Sequence, residues 1–233
     1  MQMKENYFQD ESFRFNISIS DRCYDHKPTP EDYKSMTFHV EELNADELLK
    51  RIASGYSLCH IFQDNRRLKN NFLYTNALFV DVDDHSQSMA VFLEGCEKKP
   101  TIAYTTISDG KNGLHRFRLI YLLDEQVNSV EEYKCLYGIL IKQIGLEQNK
   151  DNCGSVAAQL MNGNSDRSIQ SFCSYFIYSK YYFLQICQLE ISILPPSQYS
   201  SNRQFCKNDM EEEAVSLAQQ AIQDLSGGVT DFL

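Results

Sequence analysis

Asp81 and Asp83 close the apolar run Ala77-Leu78-Phe79-Val80 and are spaced as Asp-x-Asp, which makes them the residues of this chain best suited to chemistry. Side chains alternate faces along a strand, so the two carboxylates share one face and Asp84 takes the other. Like charges held side by side repel, and burying them is costly unless a cation lies between them. Hard divalent ions such as magnesium and manganese take oxygen ligands of this kind. An acidic loop after a strand would carry the same letters, so the other chemistry-bearing positions have to decide.

Those positions are few. Basic residues cluster at Arg66, Arg67 and Lys69, and again at His115, Arg116 and Arg118, just past the turn spanning 108–113; a further carboxylate stands at Asp151. Carboxylates from separate elements can hold two cations that clamp the attacking and leaving oxygens of an in-line phosphoryl displacement. A nearby histidine or arginine can neutralise a triphosphate. Arg116 and Arg118 share a strand face, where they can meet phosphate or pair with acidic neighbours. Asp151 reads either as a third carboxylate of the set or as the N-cap of the segment after it. His115 is equally legible as a surface histidine on a hairpin, and basic clusters are often only solvated faces.

The elements that must position these residues follow from periodicity. Residues 13–19 alternate apolar and polar as a half-buried strand, and 25–30 hold a proline-containing turn. Asn44-Ala45-Asp46-Glu47 is a capping-box start for a helix with Leu48, Leu49 and Ile52 on one face, stopped by Gly55. A strand at 57–62 and a polar loop at 63–71 lead into the aspartate strand, and 86–94 read as helix. Strands at 101–106 and 117–123 form a hairpin whose tip is 108–113. The clearest helix is 129–144, with Tyr133, Leu136, Tyr137 and Leu140 on its apolar face. A short helix is expected at 155–161 and two strands within 172–193. Residues 197–209 form a polar linker before a helical stripe at 214–225. Interspersed strands and helices without strict βαβ alternation give an α+β fold with a mostly antiparallel sheet, the main domain spanning 1–196 and the linker and C-terminal helix 197–233.

The 233 residues are 42% hydrophobic, enough for a substantial core, and 14 Tyr and 14 Phe supply large aromatic area in place of Trp. The eight cysteines include no Cys-x-x-Cys pair, which excludes the usual zinc spacing, and the start carries no secretory pattern. Reduced thiols in the cytoplasm are the expectation. No apolar run reaches membrane-spanning length. A net charge of −10 argues against indiscriminate coating of nucleic acid but leaves room for a local basic groove.

From about residue 48 to residue 163 the chain resembles the archaeo-eukaryotic primase superfamily, in particular the primase-polymerase domains of plasmids, phages and integrated elements. Phe79-Val80-Asp81-Val82-Asp83 is similar to its first motif, in which both carboxylates bind metal. Ser108 and His115 stand where the family has a serine and a histidine near the nucleotide triphosphate, here stretched apart across a glycine-containing turn. Arg116-Phe117-Arg118-Leu119-Ile120-Tyr121 resembles the basic-apolar strand of the mobile-element branch. Asp151, with Gln159 and Gly163 downstream, is the candidate third motif. The resemblance implies an RRM-like catalytic core and template-directed nucleotidyl transfer in DNA replication. Asp81, Asp83 and Asp151 would bind two Mg²⁺ or Mn²⁺, with Ser108, His115, Arg116 and Arg118 at the incoming nucleotide. Arg66, Arg67 and Lys69 would follow a single-stranded DNA template. It also implies a helicase as a separate partner, with the 214–225 stripe as its docking face.

Two other readings fit parts of the pattern. A haloacid-dehalogenase-type phosphatase would use Asp81 as nucleophile, Asp83 as general acid, Thr105 or Thr106 as the hydroxyl and Lys150 as the lysine. His85 and Asn164 depart from its motifs. A non-catalytic replication module would bind nucleic acid through Tyr and Phe stacking platforms on an RRM-like sheet.

Overall fold

The computed structural model describes residues 7–147, 155–166 and 168–193; Asp151 and the 214–225 stripe lie outside them. The chain divides into two compact units, Met1–Cys187 and Gln188–Leu233. The elements that build the site belong to the first.

Eleven strands and five α-helices are described: β1 Tyr7–Gln9, β2 Phe15–Cys23, α1 Pro30–Ser35, β3 Phe38–Leu43, α2 Ala45–Ala53, β4 Tyr56–Cys59, β5 Ile61–Phe62, β6 Phe72–His85, α3 Met89–Gly95, β7 Ile102–Thr105, β8 His115–Val127, α4 Val130–Gln143, β9 Leu160–Met161, β10 Ser171–Cys173, β11 Phe176–Tyr178 and α5 Lys180–Ile193. They make an α+β fold with two sheets. The larger runs β1-β11-β8-β6-β5, with β7 also on β8 and β10 on β7; the smaller runs β3-β2-β4-β9. Strand β8 is the hub of the larger sheet: it pairs antiparallel with β6 and β7, and parallel with β11 at Leu122 and Leu123.

The core lies between the sheets. Phe15, Ile17, Ile19 and Leu58 of the smaller sheet meet Ala77, Phe79, Ile102, Tyr104, Ile120 and Leu122 of the larger, with Leu48 and Ile52 of α2 in the same cluster. Helix α2 starts as its sequence dictates: Asn44 accepts from the Glu47 N–H at 2.9 Å and the Glu47 carboxylate accepts from the Asn44 N–H at 3.0 Å. It ends at Gly55, whose φ of +85° suits glycine; a Cβ there would also stand 2.1 Å from the Tyr24 carbonyl oxygen.

Two local expectations differ from the structure, and one helix was not foreseen. The two strands expected within 172–193 are present as β10 and β11, but the rest of that stretch is helix α5 rather than strand, and Lys180, Phe183 and Leu184 are buried at three- and four-residue spacing. Aromatic and β-branched content there favours strand locally, and packing beside Tyr178 overrides it. Residues 155–161 are not a helix; Leu160 and Met161 instead form the edge strand β9 against Cys59 and Leu58. Helix α1, with no buried residue, follows the 25–30 turn and is set by a complete Thr29–Asp32 capping box.

Candidate active site

The face of β6 that packs between the sheets carries Ala77 and Phe79, and by alternation continues to Asp81 and then Asp83. The carboxylates therefore emerge where the apolar core ends. They line a cavity of about 280 Å³ together with Arg116 and Arg118 of β8, Thr106, Ile107 and Ser108 of the hairpin tip, Lys27 and Tyr33 around α1, and Leu160, Asn162 and Gly163 beyond β9.

Asp81 stands directly opposite Arg118 in the β6–β8 register. The guanidinium meets both carboxylate oxygens, Nε to Oδ1 at 3.2 Å and Nη2 to Oδ2 at 3.4 Å, and both side chains are only about a tenth exposed. Burial works against the Arg118 charge, but Asp81 and then Tyr104 outweigh it and hold the guanidinium protonated above its ordinary value. Its remaining arm, Nη1, donates to the Asn162 carbonyl oxygen at 2.6 Å, which also accepts from the Tyr104 hydroxyl at 3.0 Å. Burial pushes Tyr104 up to about 12, so its hydroxyl stays a donor here. The Asn162 side chain donates to the Tyr33 hydroxyl at 2.8 Å and accepts from Ser57 Oγ at 3.0 Å. Asn162 thus ties α1 and the smaller sheet to the arginine that faces Asp81. Gly163 beside it has no room for a side chain: a Cβ would meet the Tyr56 and Ile52 carbonyl oxygens at 2.5 and 2.6 Å.

Simple alternation puts Asp84 on the face away from Asp83, and the structure modifies this. The register slips by one residue between Val82 and His85, and Asp84 adopts φ +55°, a bulge in which two β6 residues oppose Arg116. Arg116 donates to Asp84 Oδ1 from Nη2 at 2.6 Å and from Nε at 3.0 Å, while its Nε lies 3.7 Å from Asp83 Oδ1. One guanidinium therefore serves both carboxylates.

The other expected residues are placed unevenly. Ser108 lines the cavity beside the aspartates. His115 falls on the β8 face away from Arg116 and Arg118, with Nδ1 3.2 Å from Asp109 Oδ1, an oxygen that also accepts from the Arg116 N–H at 2.8 Å. Arg66 and Arg67 line a second cavity of about 470 Å³ with Asp64, Asn65, Met36, Thr37, Phe38 and Tyr33; Tyr33 is common to both cavities. Arg67 also donates to the Ala158 carbonyl oxygen at 2.8 Å. Lys69 lies in the following helical turn, outside both linings. Lys27, Tyr33 and Asn162 escape a motif search because they come from the other sheet and its connections; the only local sign was the proline-rich turn around Lys27.

Among the described residues no three His, Cys, Asp or Glu side chains gather as a complete metal cage. Two carboxylates on one wall, with Thr106 and Ser108 lining the same cavity, nonetheless give oxygen donors of the kind a hard divalent ion takes. Among the described residues, no helix is long and apolar enough to cross a membrane.

No protein-family profile matches the chain, and no curated protein matches its sequence. Two solved structures are similar to it. The AEP domain of the cyanophage S-2L primase-polymerase is 15% identical, with 76% of this chain and 90% of that one covered at a TM-score of 0.41. The primase RepB′ is 12% identical, with 89% of this chain and 63% of that one covered at a TM-score of 0.39.

Proposed function

We propose that the chain is a template-directed nucleotidyltransferase of the archaeo-eukaryotic primase type, with an RRM-like catalytic core, acting in replication of a plasmid, phage or integrated element. The observation that carries this reading is the Asp81–Asp83 wall facing Arg116, Arg118 and Ser108 across one cavity. Asp81 and Asp83 would hold a divalent ion, with Asp151 as the further carboxylate for a second. Bound, Mg²⁺ or Mn²⁺ would activate the primer hydroxyl and neutralise the leaving pyrophosphate. The protein's own part is positioning and charge. Arg118 pairs with Asp81 and aims it, and Arg116 sets the orientation of Asp83. Ser108 offers a hydroxyl to the nucleotide, while His115 acts through Asp109 on the Arg116 backbone. Arg66, Arg67 and Lys69 would follow the single-stranded template along the second cavity. A helicase would be a separate partner.

The test is extension of single-stranded DNA with labelled nucleotides and Mn²⁺ or Mg²⁺. The unmodified protein is expected to make new oligonucleotides, and Asp83→Ala to lose at least about a hundredfold of that activity. Extension undiminished in Asp83→Ala would overturn the assignment. Oligonucleotide binding that needs neither metal nor Asp83, with no product, would instead identify a binding module.

A further inference from the structure

The three cations of the first cavity are not equivalent. Arg116 is committed to Asp84 at 2.6 Å, with Asp83 nearby, and Arg118 to Asp81 and the Asn162 carbonyl. Their charge is largely matched by the protein's own carboxylates. Lys27 has no hydrogen bond or ion pair among the described residues, yet it lines the same cavity. Its backbone is anchored on the following side: Pro28 is buried and Thr29 caps α1 through Asp32. Helix α1 is in turn tied by the Tyr33 hydroxyl to Asn162. An exposed ammonium on a flexible stem, carried by a fixed segment over a site holding two acidic side chains, has the form of a donor waiting for an anion.

Resting on the nucleotidyl-transfer reading, we infer that Lys27 is the phosphate-binding residue of this site and grips the β- and γ-phosphates of the incoming nucleoside triphosphate. A polyanion entering beside Asp81 and Asp83 needs positive charge that the protein has not already used, and Lys27 supplies it. Arg116 and Arg118 then serve chiefly to shape the carboxylates.

Binding of dATP, dADP and dAMP to the full chain without template tests this. The unmodified protein should bind dATP more tightly than dAMP. Lys27→Ala should weaken dATP about tenfold, leave dAMP within about twofold and raise KM for dATP with kcat little changed. Lys27→Arg should recover most of the dATP affinity. Lys34→Ala, exposed on α1 and outside the cavity, is the control and should match the unmodified protein. Lys27 is exposed, so the variants should keep the same denaturation midpoint. Equal dATP affinity in Lys27→Ala, or equal losses for dATP and dAMP, would overturn the assignment of Lys27 while leaving the nucleotidyl-transfer reading standing. An unmodified protein that does not distinguish dATP from dAMP would remove both.

Discussion

Asp81 and Asp83 are two residues apart, yet the fold asks different things of them. Asp83 is 39% exposed, and its partner Arg116 also pairs with Asp84, so truncation leaves that guanidinium matched. Asp81 neutralises a guanidinium that is almost as buried as itself, so Asp81→Ala leaves Arg118 charged and unpaired. We expect both alanine variants to lose extension, but only Asp81→Ala to lose about 3 kcal/mol of stability in urea denaturation. Asp83→Ala is therefore the cleaner catalytic probe. His60 makes a second residue-scale prediction. It is 1% exposed, both ring nitrogens lack a hydrogen-bond partner among the described residues, and the ring stacks on Phe79 at 4.4 Å with Tyr133 edge-on at 4.9 Å. Burial pushes its pKa down to about 3, so the folded state keeps the ring neutral while the unfolded chain takes up a proton below its ordinary value of 6.5. The unfolded state then binds more protons, and stability falls as pH drops from about 6.5 towards 3. Between pH 7 and pH 5 the loss should reach about 2 kcal/mol. His60→Phe should flatten that limb in denaturation curves taken at the two pH values.

At the scale of elements, legibility in the sequence followed the range of the interactions. The α2 capping box, the Gly55 stop, the aspartate strand and the 129–144 helix were readable because each is set by residues within a few positions of one another. The shared face of Asp81 and Asp83 needed only strand alternation. Helix α5 was not readable, since its aromatic and β-branched residues favour strand until Phe183 and Leu184 find the core. Strand β9 was not readable either, because Leu160 and Met161 become strand only by meeting Cys59 and Leu58 about a hundred residues earlier. For the same reason Asn162 on the site's far wall had no motif to announce its role, and Gly163 beside it was read only as a residue downstream of the candidate third motif. Gly163→Ala probes that wall directly. The added methyl must push residues 162–163 away from the Ile52 and Tyr56 carbonyls, which should cost about 1–3 kcal/mol and weaken nucleotide binding through Arg118. Urea denaturation and dATP titration of the same variant check both effects.

At the scale of the whole molecule, a net charge of −10 has to coexist with the polyanion binding proposed above. The Arg66, Arg67 and Lys69 group can meet about three phosphates, so the logarithm of single-strand affinity should fall with log salt at a slope of roughly −2. Fluorescence anisotropy between 50 and 300 mM salt measures it, and a slope near zero would remove that group from the template path. The position of β8 carries one more consequence, for how the chain is made. Its far edge is covered at Phe117–Ile120 by β7, which precedes it, but at Leu122 and Leu123 only by β11, which is translated roughly fifty residues after β8 ends, and β1 in turn has to wait for β11. At a ribosomal pace of roughly 5–20 residues per second, the nascent chain carries the finished Asp81–Arg118 pairing, flanked by Tyr104 of β7, for several seconds with the Leu122–Leu123 edge still unpaired, before residues 160–163 arrive to close the pocket. The catalytic carboxylates are thus laid down early and the pocket is completed last, which makes the interval between β8 and β11 the stage of synthesis at which a chaperone would matter most.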